Sequence, residues 1–177
     1  MTNRQFQLTD LVCPHCGHVI GKQAFFQSFE TKVATWLSGE TAPVATPGYD
    51  VCHCSPFPDL TFQVKYSYCY RFQAKDVKYP QIVWQWHLKR IHPQYPNYFI
   101  LFGIDEQAEE HVFLLSRSEF INYASYYQNK YHLRVSAKLK SDRQNYNYVP
   151  KIWRYVVQSP ETRLAEEIQR RLDFGIR

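Results

Sequence analysis

The stretch LTFQVKYSY, residues 60–68, alternates without a break. Leu60, Phe62, Val64, Tyr66 and Tyr68 are separated by Thr61, Gln63, Lys65 and Ser67. Side chains of a strand point to opposite faces in turn, so a period of two requires a sheet with one face on a core and one face polar. The pattern also fixes register, because a slip of one residue would turn every apolar group to solvent. Residues 49–54 and 59–68 read as two strands pairing around the turn Ser55-Pro-Phe-Pro58.

Other segments surround this hairpin. From Gln23 to Leu37, residues Phe25, Phe26, Phe29, Val33, Trp36 and Leu37 recur at helical period, and Ser38-Gly39 ends the helix. Ala42 to Pro47 is expected to hold a short strand. Pro80 to Ile91 is read as a helix opening at proline. Tyr98–Ile104 and Val112–Leu115 are apolar strands joined by an acidic turn. Ser118 is expected to cap a helix through Asn129. Ser159-Pro160-Glu161 opens a last helix ending near Leu172. The expected class is α/β, a mixed sheet flanked by helices, with residues 1–21 as an N-terminal knuckle and 22–177 as one domain. In 177 residues, 45% hydrophobic and 17% aromatic, there is ample core material for one domain. No run reaches transmembrane length and MTNRQFQLTD is no signal peptide, so a cytoplasmic protein is expected.

The polar face of the hairpin carries the chemistry. With the turn centred on Pro56-Phe57, Cys54 faces Asp59, Cys52 faces Thr61 and Asp50 faces Gln63. Asp50, Gln63 and Lys65 then converge on one side. A carboxylate and an amide oxygen can hold a hard divalent cation, and a neighbouring ammonium can orient a water or stabilise phosphate charge. Glu30 lies at the edge of the first helix's apolar stripe, close to the sheet that this helix covers.

In these residues the chain resembles the PD-(D/E)XK nuclease superfamily, which includes restriction and homing endonucleases. Its pattern is a helix bearing a glutamate, a strand bearing an aspartate, then a strand bearing (D/E)-x-K. Glu30, Asp50 and Gln63-x-Lys65 follow it in order, with Gln63 as a Q-x-K variant. The resemblance spans roughly residues 22–120 and implies a restriction-endonuclease-like fold and hydrolysis of DNA phosphodiester bonds. It implies Mg²⁺ held by Asp50 and Gln63, with Glu30 directly or through water, and Lys65 polarising the attacking water. Cutting both strands of a duplex calls for two active sites, which makes a homodimer the expected assembly. Gln63 stands where the family usually has an acid, so the alternative is an inactive, zinc-containing nucleic-acid-binding protein on the same core.

Cys13-Pro-His-Cys16-Gly is a spacing that grips Zn²⁺, with Gly17 permitting the tight turn. Cys52 and Cys54 are the obvious further ligands of a structural zinc. On a regular strand their side chains would lie roughly 7 Å apart, whereas two zinc-bound sulfurs are closer than about 5 Å. Either the strand bends there, or His15, His18 or His53 substitutes. Cys69 reads as a core thiol. From Tyr126 to Tyr155 the chain carries Lys130, Arg134, Lys138, Lys140, Arg143, Lys151 and Arg154 against the single acid Asp142, interleaved with tyrosines. Such a stretch suits DNA phosphates and unpaired bases.

Overall fold

The computed structural model describes residues 22–43, 46–72, 81–139, 146–149 and 155–175. The elements are α1 (Lys22–Trp36), β1 (Glu40–Thr41), β2 (Val51–Cys52), β3 (Phe62–Tyr68), β4 (Tyr70–Phe72), β5 (Gln81–Leu88), β6 (Tyr98–Ile104), β7 (Glu110–Ser116), α2 (Arg117–Tyr123), β8 (Ser125–Tyr127), β9 (Lys130–Leu139), β10 (Tyr146–Val149) and α3 (Pro160–Asp173). They form a mixed α/β structure with two sheets. The first has the order β1-β2-β3-β6-β7, in which β3 and β6 are parallel and the other pairs antiparallel. The second is antiparallel, in the order β10-β9-β5-β4, with β8 also paired to β9.

The first sheet is buried on both faces, which makes three layers. On one face Phe62, Val64, Ile100, Phe102 and Leu114 pack under Phe29, Val33 and Leu37 from α1 and Leu164 and Ile168 from α3. On the other, Phe99, Leu101, Phe113 and Leu115 meet Trp84 and Trp86 of β5, Leu133 and Val135 of β9, and Phe120 of α2. The unbroken apolar run of β6 follows, since all seven of its residues are buried. Each such large side chain contributes about 1.5–3 kcal/mol by leaving water. Gly103 sets the approach of the two sheets. A Cβ there would lie 3.0 Å from the Trp84 indole, whose Nε1 donates to the Ile104 carbonyl at 3.0 Å.

Four expectations need correction. Residues 81–88 are strand β5, not a helix. Ile82, Trp84, Trp86 and Leu88 alternate with Val83, Gln85 and His87, and this period of two, rich in β-branched and aromatic residues, outweighs the proline start signal. The helix expected from Ser118 to Asn129 starts two residues earlier and stops at Tyr123. Ser116 is its cap, with a reciprocal capping box to Glu119. The remainder forms the β8–β9 hairpin, whose turn residues Gln128 and Asn129 both have positive φ, the geometry of a tight two-residue turn. The short strand expected at 42–47 is instead Glu40–Thr41. The strand expected at 49–54 is reduced to Val51–Cys52, with an isolated bridge from Cys54 to Phe57.

Candidate active site at the edge of the first sheet

β2 pairs with β3 at Val51↔Phe62, and Asp50 N–H donates to the Phe62 carbonyl at 2.8 Å. In this register Asp50 stands opposite Gln63, as the sequence predicts. Beyond that point β2 leaves, so the outward N–H and C=O of Val64 face no partner strand. Side chains satisfy them. Asp50 Oδ2 accepts from Val64 N at 2.8 Å and from Lys65 Nζ at 3.0 Å, and Lys65 Nζ donates to the Val64 carbonyl at 2.9 Å. Buried backbone groups require such partners, and here the candidate catalytic pair supplies them. The Asp50 and Lys65 side chains are 18% and 31% exposed.

Glu30 approaches from the helix layer. It is half-buried and makes no hydrogen bond or ion pair with another described residue. Burial pushes its carboxyl above the usual carboxylate range, the charge of Asp50 pushes it further, and Lys65 partly offsets both. Glu30, Asp50 and Lys65 therefore act on one another electrostatically. A cleft of about 330 Å³ opens beside them, lined by Phe29 and Glu30 from α1, Val64, Lys65 and Tyr66 from β3, and Gln85, Trp86 and His87 from β5. Gln63 is half-buried, one pleat before Lys65 on the same face; neither it nor Asp50 is among the lining residues. Asp59 is exposed in the turn. Compared with protein-family models and with curated proteins, the sequence matches none.

Gln85 and His87 do not stand out as site residues in the sequence, because Pro80 signals a helix there. The alternation of Ile82, Trp84, Trp86 and Leu88 is the signal that places the residues between them on a polar face. His87 Nδ1 lies 2.7 Å from His132 Nδ1 across β5–β9, and burial followed by the charges of His132 and Lys130 holds the His87 pKa down. A further group of potential metal ligands, Asp105 and Glu109 in the β6–β7 turn and His111 at the start of β7, lies at that end of the sheet. Asp105 there accepts from the backbone N–H of Gln107 and Glu109, both at 2.9 Å, and stands 3.1 Å from His111 Nε2. Those bonds hold the turn.

Cys13, Cys16, His15 and His18 lie outside the described residues. Cys52 and Cys54 are buried, and the chain bends between them, with His53 at φ +51°. The two cysteines therefore do not stand at i and i+2 of one regular strand. Burial raises both thiols, Cys52 further through Glu40, and Cys54 to about 11 with a contribution from Cys52. Gly39 makes room for this corner, since a Cβ there would meet Cys54 Sγ at 2.6 Å. Cys69 is half-buried between β3 and β4, its thiol raised to about 11, chiefly by burial. In the basic stretch, Lys130 and Arg134 are exposed on β9. Lys138 contributes its backbone to β9, whereas Lys140, Arg143, Lys151 and Arg154 lie outside the described residues. Among the described residues no helix is long and apolar enough to cross a membrane.

Proposed function

We propose that the protein is a metal-dependent DNA endonuclease, a cytoplasmic enzyme with a restriction-endonuclease-like core. The observation that carries this reading is Glu30. Glu30 is a half-buried carboxylate with no cationic hydrogen-bond partner among the described residues, and burial and the charge of Asp50 both disfavour its ionised form; perturbed groups of this kind gather at functional sites. A divalent cation between the two carboxylates would reverse that penalty. The donor set fits a hard cation. Asp50 Oδ2 is occupied, Oδ1 has no hydrogen bond to another described residue, and Glu30 and the Gln63 amide add oxygen ligands. Bound Mg²⁺ would supply charge stabilisation for the departing oxygen. Asp50 holds the Lys65 ammonium at the rim of the cleft, where it can orient a water and stabilise phosphate charge. The basic residues of β9 would neutralise phosphates beside the cleft.

Zn²⁺ held by Cys13, Cys16, Cys52 and Cys54 would tie the N-terminal knuckle to the outer end of the hairpin, and a homodimer would present two such sites to a duplex. The second reading, an inactive nucleic-acid-binding protein, is favoured by Gln63, which replaces an acid and stays outside the cleft lining. DNA cleavage with and without Mg²⁺ separates the two. Wild type should cut only with the metal, and Lys65→Ala should lose about 10²–10³-fold in rate while keeping its fold. No cleavage by wild type with any divalent metal favours the inactive reading.

A further inference from the structure

The outer face of the second sheet is turned away from both cores, and its register defines which residues occupy it. Val83 stands opposite Tyr70 and Ser136, Gln85 opposite Arg134, His87 opposite His132, and Tyr127 opposite Lys130. Opposed residues share a face, so this one carries Tyr70, Phe72, Gln85, His87, Tyr127, Lys130, His132 and Arg134. No position on it that the register assigns is Asp or Glu.

Its aromatic residues are unusually open. Tyr70 is 43% exposed, Phe72 40% and Tyr127 48%. Two of these rings each carry a described neighbour against the ring. The Arg134 guanidinium lies 4.9 Å from the Phe72 centroid, and Tyr127 stacks on His132 with centroids 3.7 Å apart and planes at 15°. Between Arg134 and Phe72 the register places Val83, which is fully buried. The face thus presents two aromatic platforms, each with an exposed cation beside it, Arg134 at one and Lys130 at the other. Gln85 and His87 belong both to this face and to the cleft that holds Glu30 and Lys65.

We propose that this face binds a single strand of DNA, with unpaired bases stacked on Phe72 and Tyr127, phosphates on Lys130 and Arg134, and the strand running past Gln85 and His87 into the cleft. Flat exposed rings beside cations match the two chemistries of an unpaired strand, and a duplex offers only the second. The proposal rests on the endonuclease reading for what happens in the cleft, but binding to the face does not need metal.

The test is fluorescence anisotropy in EDTA with three labelled probes of equal charge: oligo-dT of about twenty nucleotides, the same backbone without bases, and a hairpin duplex. Wild type should bind oligo-dT at least tenfold more tightly than either of the others. Phe72→Ala and Tyr127→Ala should each lose about tenfold on oligo-dT and almost nothing on the base-free strand, while Tyr127→Phe, which keeps the ring, should match wild type. Phe72→Leu retains bulk without a flat ring and should behave as Phe72→Ala, which separates stacking from folding. Equal affinity for the strand with and without bases, or for duplex and single strand, would overturn the proposal. The same variants in a Mg²⁺ cleavage assay distinguish the two failures. A platform that fails leaves duplex cutting intact, and an endonuclease reading that fails leaves base-dependent binding intact.

Discussion

Replacing Asp50 separates its structural work from its chemical work. Its Oδ2 accepts from the Val64 N–H at 2.8 Å and from Lys65 Nζ at 3.0 Å. Asp50→Asn keeps an oxygen for Val64 and loses the ion pair. Because Lys65 is nearly a third exposed, the ion pair contributes at most about 1 kcal/mol after solvent screening. Losing the charge on the Val64 bond adds on the order of 0.5–1 kcal/mol, relief of the repulsion with Glu30 offsets part of the loss, and the net cost is about 1 kcal/mol. Asp50→Ala also leaves a backbone donor of β3 without an acceptor, which adds about 1–3 kcal/mol. Urea unfolding in EDTA should therefore rank wild type above Asp50→Asn above Asp50→Ala. With Mg²⁺ at ten times its dissociation constant, wild type should gain about 1.4 kcal/mol, and both variants should gain nothing. An Asp50→Asn protein that gains as much from Mg²⁺ as wild type would refute the assignment of Asp50 to the metal. Equal stability of the two variants would refute its role in capping the sheet edge.

Glu30→Gln should stabilise the metal-free protein near neutral pH. The raised carboxyl binds its proton more tightly when folded, so folding stability falls as pH rises from the unfolded-state pKa through the folded one; thermal melts across that range should slope downward in wild type and flatten in the variant. Mass spectrometry of protein purified without added zinc should find one zinc per chain, lost on Cys54→Ala, with chelation lowering the melting temperature because ligand energy is folding energy; a zinc content near zero contradicts this. Arg171 is 3% exposed, with Glu119 at 2.7 Å and Glu167 at 3.0 Å. Arg171→Ala should destabilise by about 3–5 kcal/mol, read by denaturant unfolding; a loss under about 1 kcal/mol would mean that the cluster does not tie α3 to α2.

The parts of this fold that were legible in the sequence are those with one unambiguous period. Strict alternation in 60–68 and the turn at Pro56-Phe57 give the register that sets Asp50 opposite Gln63, and the all-apolar run gives β6 with its observed limits. The stripe through Phe29, Val33 and Leu37 gives α1 and leaves Glu30 at its border. The second sheet was missed for a shared reason. Pro80 and Ser118 are helix-start residues, and in each segment this signal competes with one that favours strand. In residues 81–88 the inward tryptophans decide for a strand, and at Gln128-Asn129 a turn with positive φ decides for a hairpin. The β5 side of the cleft, Gln85, Trp86 and His87, depends on this segment being extended. The convergence of Lys65 on Asp50 depends on β2 departing after a single paired residue, which neither strand's composition encodes.

If the protein is a nuclease of this kind, Glu30 and Asp50 share one divalent cation. Titration of the purified chain with Mn²⁺, followed by electron paramagnetic resonance, reads this directly, because bound Mn²⁺ loses its free-ion signal. One site per chain is expected, competed by Mg²⁺, tightening as pH rises through the Glu30 titration, abolished by Glu30→Gln or Asp50→Asn and retained in Asp59→Asn. A well-folded Glu30→Gln protein that binds Mn²⁺ as wild type does, or a wild type that binds none, would contradict it.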